Sequence, residues 1–230
     1  IGGGKEFYNG VIENSLRFTG GQALTRTPST AGNRKTFTWS GWVKLAEEGS
    51  SGFRYIFDVG PNLSNNSNNN IFDILFDASD KFGIYAYHSS TVKINLKSTA
   101  VFRDYGAWYH ICLAVDTTVV TSTDRVKAWI NGKRITSWST STFPDQNYET
   151  WVNSAYPHSV FHYLGNAGST SQYTGFGYGT DMFLIDGYAL GPENFGEYKE
   201  GAWIPKAYAG PPPLITDSSP LNTTLDSGTG

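Results

Sequence analysis

The stretch Ala107-Trp-Tyr-His-Ile-Cys-Leu-Ala-Val-Asp116 precedes Arg125-Val-Lys-Ala-Trp-Ile-Asn-Gly-Lys-Arg-Ile135, and together they decide the fold class. The first is an apolar run of strand length. The second places Asn131-Gly132 between two short segments with alternating polarity. Both central positions of a tight hairpin turn need positive φ, which Asn-Gly adopts at low cost. The two stretches therefore predict an antiparallel β architecture.

Further strand signals recur along the chain at short and regular intervals. Within residues 36–45, every second side chain is apolar or small, which predicts a strand with one buried face. Other strands are predicted at residues 15–19, 22–26, 53–59, 71–76, 82–87, 92–96, 160–164 and 180–190, whereas 137–156 is predicted to be a loop and 192–195 a single helical turn. This spacing is typical of a sandwich, so we predict an all-β, two-sheet antiparallel jelly roll.

Composition excludes several function classes. Among 230 residues, 15% are aromatic, 16% are charged and the formal net charge is −3. The chain therefore has no basic surface for nucleic acid, and no apolar run is long enough for membrane insertion. Cys112 is the single cysteine, and its position inside an apolar stretch predicts a small buried side chain.

Local composition divides the chain into three parts. Residues 1–13 contain three consecutive glycines and are predicted to be an N-terminal linker. Residues 14–210 carry the strand signals and are predicted to form one jelly-roll domain, large enough to bury a full core. Residues 211–230 are rich in Pro, Ser, Thr and Gly, which predicts a tail or linker.

Five of these segments occur in an order and spacing that are characteristic of one fold family. They are Ser15-Leu-Arg-Phe18, Phe37-Thr-Trp-Ser-Gly-Trp-Val-Lys44, Trp108-Tyr-His110, Val126-Lys-Ala-Trp-Ile-Asn-Gly-Lys133 and Asp181-Met-Phe-Leu-Ile-Asp-Gly187. In order and spacing, residues 15–190 resemble a concanavalin A-like lectin/glucanase domain of the laminin G, pentraxin and legume lectin kind. The resemblance implies a jelly roll that binds a ligand more often than it catalyses a reaction.

A second resemblance is narrower. Part of the chain is similar to virion proteins of tailed bacteriophages, namely Phe183-Leu-Ile-Asp-Gly-Tyr-Ala-Leu190, Phe195-Gly-Glu197 and Gly201-Ala-Trp-Ile-Pro-Lys206, with Tyr208 and Gly210. The earlier stretch from Arg26 to Val43 is similar to the same proteins. Those proteins are fibres or capsid decorations that carry a lectin-like domain. The resemblance implies a virion setting and gives no information about a ligand. Trp203 within this segment is predicted to fasten it to the sandwich.

Glycosidases with this fold carry a Glu-x-Asp-x-Glu signature on one strand, because hydrolysis of a glycosidic bond needs two carboxyl groups at a defined separation. The sequence lacks this signature and has no Glu between Glu48 and Glu149. Asp73, Asp77 and Asp80 are predicted to be solvated charges. We therefore predict that the chain is not an enzyme, although local motifs do not exclude a catalytic site formed by distant residues.

The sequence contains candidate ligands for a calcium ion. Relatives of this fold often hold calcium with Asp, Asn and backbone oxygens, and the candidate ligands here are Asp58, Asn62 and Asp73. The alternative is that the Asn-rich stretch around Asn62 forms a polar loop. No cofactor is predicted, and calcium remains possible. His110 and His162 are predicted to be buried and hydrogen-bonded rather than metal ligands.

Glycan binding by stacking needs aromatic rings beside short polar side chains. Trp42 and Trp129 alternate out of phase with their apolar neighbours, and residues 137–156 add Trp138, Tyr148 and Trp151 on a polar background. These five residues are the predicted glycan-binding set. The alternative is that such rings pack beneath a loop or against a neighbouring subunit, and both interpretations stay open.

The predicted function combines these points. We expect a non-enzymatic module on the virion surface, and thus extracellular, which serves as a fibre or decoration subunit and adheres to cell-surface glycans. The expected partners are other virion proteins and further copies of the chain, with a trimer favoured. Two alternatives remain, namely a secreted carbohydrate-binding module or glycosidase of the same fold, and a purely architectural protein without a ligand.

Overall fold

The computed structural model describes residues 12–19, 24–46, 52–61, 70–164 and 176–210. Two antiparallel sheets stack on each other within these residues. The six-stranded sheet has the order β1 (Leu16–Thr19), β13 (Phe176–Asp186), β3 (Thr36–Leu45), β8 (Trp108–Asp116), β9 (Val126–Ile130) and β10 (Lys133–Arg134). The seven-stranded sheet has the order β11 (Trp138–Thr142), β7 (Thr91–Val101), β6 (Lys81–His88), β5 (Asn70–Phe76), β4 (Arg54–Val59), β12 (His158–Val160) and β2 (Leu24–Arg26).

The core lies between the two sheets and follows the alternation of the strands. On β3, Phe37, Trp39 and Val43 point inward, as the sequence predicts. The Asn131-Gly132 turn between β9 and β10 has φ values of 49° and 73°, so the predicted hairpin is confirmed. The all-β sandwich is therefore confirmed, and no helix in the described part of the chain is long and apolar enough to cross a membrane.

Two predicted segments differ from the structure in ways that their local geometry explains. Residues 138–142, predicted to lie in a loop, form edge strand β11. Because four of its five side chains are exposed, an edge strand of this kind has little polarity alternation to detect. Strand β12 ends at Val160 rather than extending to Leu164, since Phe161 has a φ of 56°, which a strand does not adopt.

The sandwich is open along one edge because its edge strands are short. Strand β1 pairs only with residues 176–179 of β13, so the remainder of β13 lacks a strand neighbour on that side within the described residues. Strand β2, which ends the other sheet at the same edge, has three residues. Beyond the ends of these strands, no described strand continues either sheet along this edge.

Residues 187–210 cover part of the outer face of the six-stranded sheet. This segment contains a 3-10 turn at Pro192–Asn194, close to the predicted single turn, and the hairpin of β14 (Gly196–Lys199) and β15 (Ala202–Pro205). The Trp203 indole N–H donates to His110 Nδ1 at 3.0 Å, which confirms that Trp203 fastens the segment to the sheet. His110 and Cys112 are both fully buried, as predicted.

Candidate functional site

A groove of about 430 Å³ lies at the open edge of the sandwich. Five separate parts of the chain line it: the β2 region, the turn at residues 28–32, Phe57 on β4, the segment around β12, and the end of β13. Its volume falls within the range of small-ligand sites, and its lining combines apolar and polar side chains. This groove is the candidate functional site.

One wall of the groove is a fixed polar network centred on Asp186. The Asp186 Oδ1 atom accepts hydrogen bonds from the Asn33 backbone N–H at 2.7 Å and from Asn153 Nδ2 at 3.0 Å. Asn153 Nδ2 also donates to the Asn33 carbonyl at 2.8 Å. Gly32 passes close by, and a Cβ at that position would lie 2.1 Å from Asp186 Oδ2. The carboxylate is therefore held in one place before any ligand arrives.

His158 extends this wall in one defined tautomer. Its Nε2 atom accepts the Asn153 backbone N–H at 3.0 Å, so the ring proton is on Nδ1, which donates to the Tyr156 carbonyl at 2.8 Å. Burial lowers the pKa of His158, and the nearby positive charge of Arg26 lowers it further. The imidazole is therefore neutral at physiological pH, and both of its nitrogens are engaged.

The floor of the groove is apolar, and its mouth carries a cation. Phe57, Val160 and Leu184 reach the groove from the inner faces of the two sheets. Strand β2 places Leu24 and Arg26 opposite Val160 and His158, on the side that faces the groove. An apolar floor with a fixed polar wall suits an amphipathic ligand such as a sugar ring, which has C–H faces and hydroxyl edges.

Two of the predicted stacking residues, Tyr148 and Trp151, do not line the groove but form a rim cluster with His88 in the segment that leads to the groove residue Asn153. Trp151 packs against the rings of His88 and Tyr156, and Tyr148 also contacts His88. The Trp151 indole N–H donates to the Tyr87 carbonyl at 3.0 Å, and the Arg34 guanidinium lies 5.1 Å from the Trp151 ring centre. This rim cluster is partly exposed, and it precedes Asn153 and His158 in the same segment.

The other three predicted stacking residues lie elsewhere. Trp42 is only 6% exposed and packs against His110 on the outer face of the six-stranded sheet, so it offers little ring surface to a ligand. Trp129 is on the same outer face and lies beneath the Arg134 guanidinium, 5.9 Å away. Trp138 is on edge strand β11 of the other sheet, where it packs against the core. The five residues therefore do not form one site.

The structure corrects the interpretation of the aspartates as solvated charges. Asp77 is buried and its carboxylate lies 2.7 Å from Lys97 Nζ. Asp80 Oδ1 accepts a hydrogen bond from Nη2 of the buried Arg54 guanidinium at 2.5 Å. Asp73 is also buried, and it lies directly opposite Asp58 on the neighbouring strand. Adjacent strands therefore bring together two carboxyl groups that are separated in sequence, which the search for a signature on one strand did not reveal.

The Asp58–Asp73 pair is almost completely excluded from solvent, with exposures of 0% and 2%. Burial raises the pKa of Asp58 to about 7 and raises the pKa of Asp73 well above its usual range. The interaction between the two carboxyl groups raises the pKa of Asp73 and lowers that of Asp58, so it favours a proton on Asp73, while Asp58 accepts the Leu164 backbone N–H. The Oδ1 atom of each residue has no partner among the described residues.

This pair does not fully fit either the alternative glycosidase function or the candidate calcium site. Its members are hydrogen-bonded to each other, whereas retaining glycosidases separate their carboxyl groups by about 5 Å. For calcium, Asp58 and Asp73 do lie together as the metal prediction requires, but Asn62 lies outside the described residues. Within the described ranges, no group of three or more His, Cys, Asp or Glu side chains could hold a metal ion.

Two further differences concern residues that the sequence did not place correctly. His162 was predicted to be buried and hydrogen-bonded, but it is half-buried and its Nδ1 atom has no partner in the described part of the chain. The groove residues Arg26, Asn153, His158 and Asp186 were not predicted at all. They come from segments that are distant in sequence. Only Asp186 belonged to a segment already singled out, the Asp181–Gly187 strand of the lectin-like resemblance.

Comparison with known proteins agrees with this architecture. A laminin G-type family model, described as the concanavalin A-like lectin/glucanases superfamily, matches residues 18–175. A search of curated proteins finds no match.

Two solved structures of similar shape are relevant. The CBM40 of the Ruminococcus gnavus IT-sialidase, bound to alpha2,3 sialyllactose, has a TM-score of 0.53 and 14% identity, and the match covers 78% of this chain and 91% of that chain. The leech intramolecular trans-sialidase complexed with 2,7-anhydro-Neu5Ac has a TM-score of 0.50 and 16% identity over 78% of this chain and 26% of that chain. At these identities the likeness establishes the fold alone. Because the family model spans more than half of the sequence, the chain belongs to the concanavalin A-like lectin/glucanase superfamily.

Proposed function

We propose that this chain is a non-enzymatic glycan-binding module displayed on the surface of a virion. The observation that carries the glycan part is the groove at the open edge of the sandwich. It places a fixed carboxylate, Asp186, beside an apolar floor, and this combination matches the hydroxyl edges and C–H faces of a sugar. The lectin-like fold is consistent with this function, and the Ruminococcus gnavus module of similar fold is described as bound to a sialylated sugar.

A steric block of the groove tests this proposal. Leu24 is 50% exposed and lines the groove, so Leu24→Trp fills the groove mouth without disturbing the core. Val120 is 80% exposed and does not line the groove, so Val120→Trp adds the same side chain as a matched control. On a glycan array followed by calorimetry, we expect the Leu24 variant to bind at least tenfold more weakly, with the control unchanged. Equal binding by both variants would contradict a site in this groove.

The rim cluster gives a second, independent test of where a glycan sits. If the ligand extends from the groove to the rim, Trp151→Ala weakens binding whereas Trp129→Ala does not, since Trp129 lies on the outer face of the six-stranded sheet. A stacked ring contributes roughly 1 kcal/mol, or about fivefold in affinity. Loss of binding in the Trp129 variant alone would instead favour the outer face.

The virion setting rests on the sequence similarity of residues 183–206 to bacteriophage virion proteins. In this chain those residues end β13 and continue as the segment that covers the outer face of the six-stranded sheet. We propose a fibre or decoration subunit that assembles as a homo-oligomer, with a trimer favoured, and contacts other virion proteins. Light scattering on the purified chain tests the oligomer, and antibody labelling of intact particles tests the location. A monomeric chain in light scattering would contradict the oligomer, and intact particles that the antibody does not label would contradict the virion location.

We propose that the chain lacks glycosidase activity. The Asp58–Asp73 pair is the observation that favours the alternative, but both carboxyl groups are buried and bonded to each other, and a substrate would have to displace covering residues to reach them. A screen against a panel of polysaccharides separates the two functions. Hydrolysis that is lost in Asp58→Asn would support a glycosidase, and this result would overturn the non-enzymatic assignment.

A further inference from the structure

Arg26 lies at the mouth of the groove, where no described residue supplies a counter-ion. Strand β2 places it opposite His158, on the side that faces the other sheet. Its side chain is exposed, and it has no ion pair with any residue that the structure describes. An exposed arginine is ordinary on a protein surface, but this one lines a ligand-sized groove.

The neighbouring groups do not neutralise Arg26. His158 is neutral and both of its ring nitrogens are already hydrogen-bonded, so it cannot accept a hydrogen bond from the Arg26 guanidinium. The Asp186 carboxylate is committed through Oδ1 to Asn33 and Asn153. Among the described residues, the groove therefore offers guanidinium donors without an anionic partner, together with one fixed carboxylate acceptor.

We propose that the groove selects a sugar that bears a carboxylate, and this inference rests on the proposed glycan-binding function. The ligand carboxylate contacts Arg26, while Asp186 Oδ2 accepts a hydrogen bond from a ring hydroxyl. The planar guanidinium binds a carboxylate through two parallel hydrogen bonds, which a neutral hydroxyl cannot reproduce. The preference is local, because the chain as a whole has a net charge of −3 and does not attract anions at long range.

Methyl esterification tests the charge directly. The methyl glycosides of glucuronic acid and of N-acetylneuraminic acid are each compared as the free acid and as the methyl ester, which keeps the skeleton and removes the charge. We expect the free acid to bind at least tenfold more tightly than its ester. Arg26→Gln should remove this difference by weakening only the acid, and Arg26→Lys should restore part of it.

The remaining outcomes each decide the question. If acid and ester bind equally, a glycan site exists but the carboxylate preference is wrong. If neither sugar nor any member of a neutral glycan array binds, the proposed glycan function itself fails. If Arg26→Gln leaves acid binding intact and promotes self-association, Arg26 protects an edge strand from pairing with other chains, and the inference is overturned.

Discussion

The Asp58–Asp73 pair makes the folding stability depend on pH in a direction that can be calculated. The pKa of Asp58 rises from 3.8 in a solvated chain to about 7 in the fold. Between these values the folded state binds more protons than the unfolded state, so this group loses stability as the pH rises and the loss is complete above about pH 7. Two pH units, from about pH 5 to pH 7, correspond to about 3 kcal/mol.

The wild-type profile does not isolate this effect, because the histidines act in the opposite direction. Burial lowers the pKa of His110 to about 3, so its contribution to stability grows as the pH rises toward 6.5. The comparison is therefore between wild type and Asp58→Asn, which removes the ionisable group and retains its size. We expect the variant to gain about 3 kcal/mol relative to wild type between about pH 5 and pH 8.

Urea denaturation monitored by tryptophan fluorescence measures this difference at constant ionic strength. Asp145→Asn is the matched control, because the Asp145 side chain is 82% exposed and forms only a long contact with Lys93 at 3.5 Å. Its stability relative to wild type should be the same at both pH values. A constant difference between wild type and the Asp58 variant across this range would refute the buried, proton-sharing pair.

Two further predictions concern single side chains. Gly132→Ala should destabilise the fold by about 2 kcal/mol or more, because φ is 73° and the new Cβ would lie 2.5 Å from Trp203, whereas Gly187→Ala, with φ of 82° and open space, should cost only about 1 kcal/mol. Equal losses in urea denaturation would contradict the contact with Trp203. Arg54→Met should cost about 3 kcal/mol, because it leaves the Asp80 carboxylate without its buried cation, and adding Asp80→Asn should recover part of this loss. A double variant that is no more stable than the single one would argue against this ion pair.

The fold was predictable because its signals are local. The Asn131-Gly132 turn requires positive φ at both positions, and the alternation on β3 separates the side chains that face the core from those on the outer face of the sheet. Such signals need only neighbouring residues. They weaken where burial does not alternate, so edge strand β11 was predicted as a loop.

The candidate site was not predictable for the opposite reason. Arg26 and Asp186 lie on β2 and β13, whereas Asn153 and His158 belong to the segment around β12. The proximity of these three segments depends on which strands lie at the open edge. Alternation correctly assigned the predicted glycan-binding tryptophans on β3 and β9 to the outer face of their sheet. It does not reveal whether another segment of the chain covers that face. Trp42 is buried beside His110, on the outer face that residues 187–210 partly cover.

The sequence by itself determined that strands form, where most of them run, and which side chains face the core, because each follows from backbone preferences and a two-residue period. Only the tertiary structure decided strand order and cross-strand register. Register placed Asp73 opposite Asp58, and the short β1 left the groove open. Side chains on neighbouring strands lie about 5 Å apart whatever their separation in sequence, so their chemistry is set by pairing that the linear chain does not display.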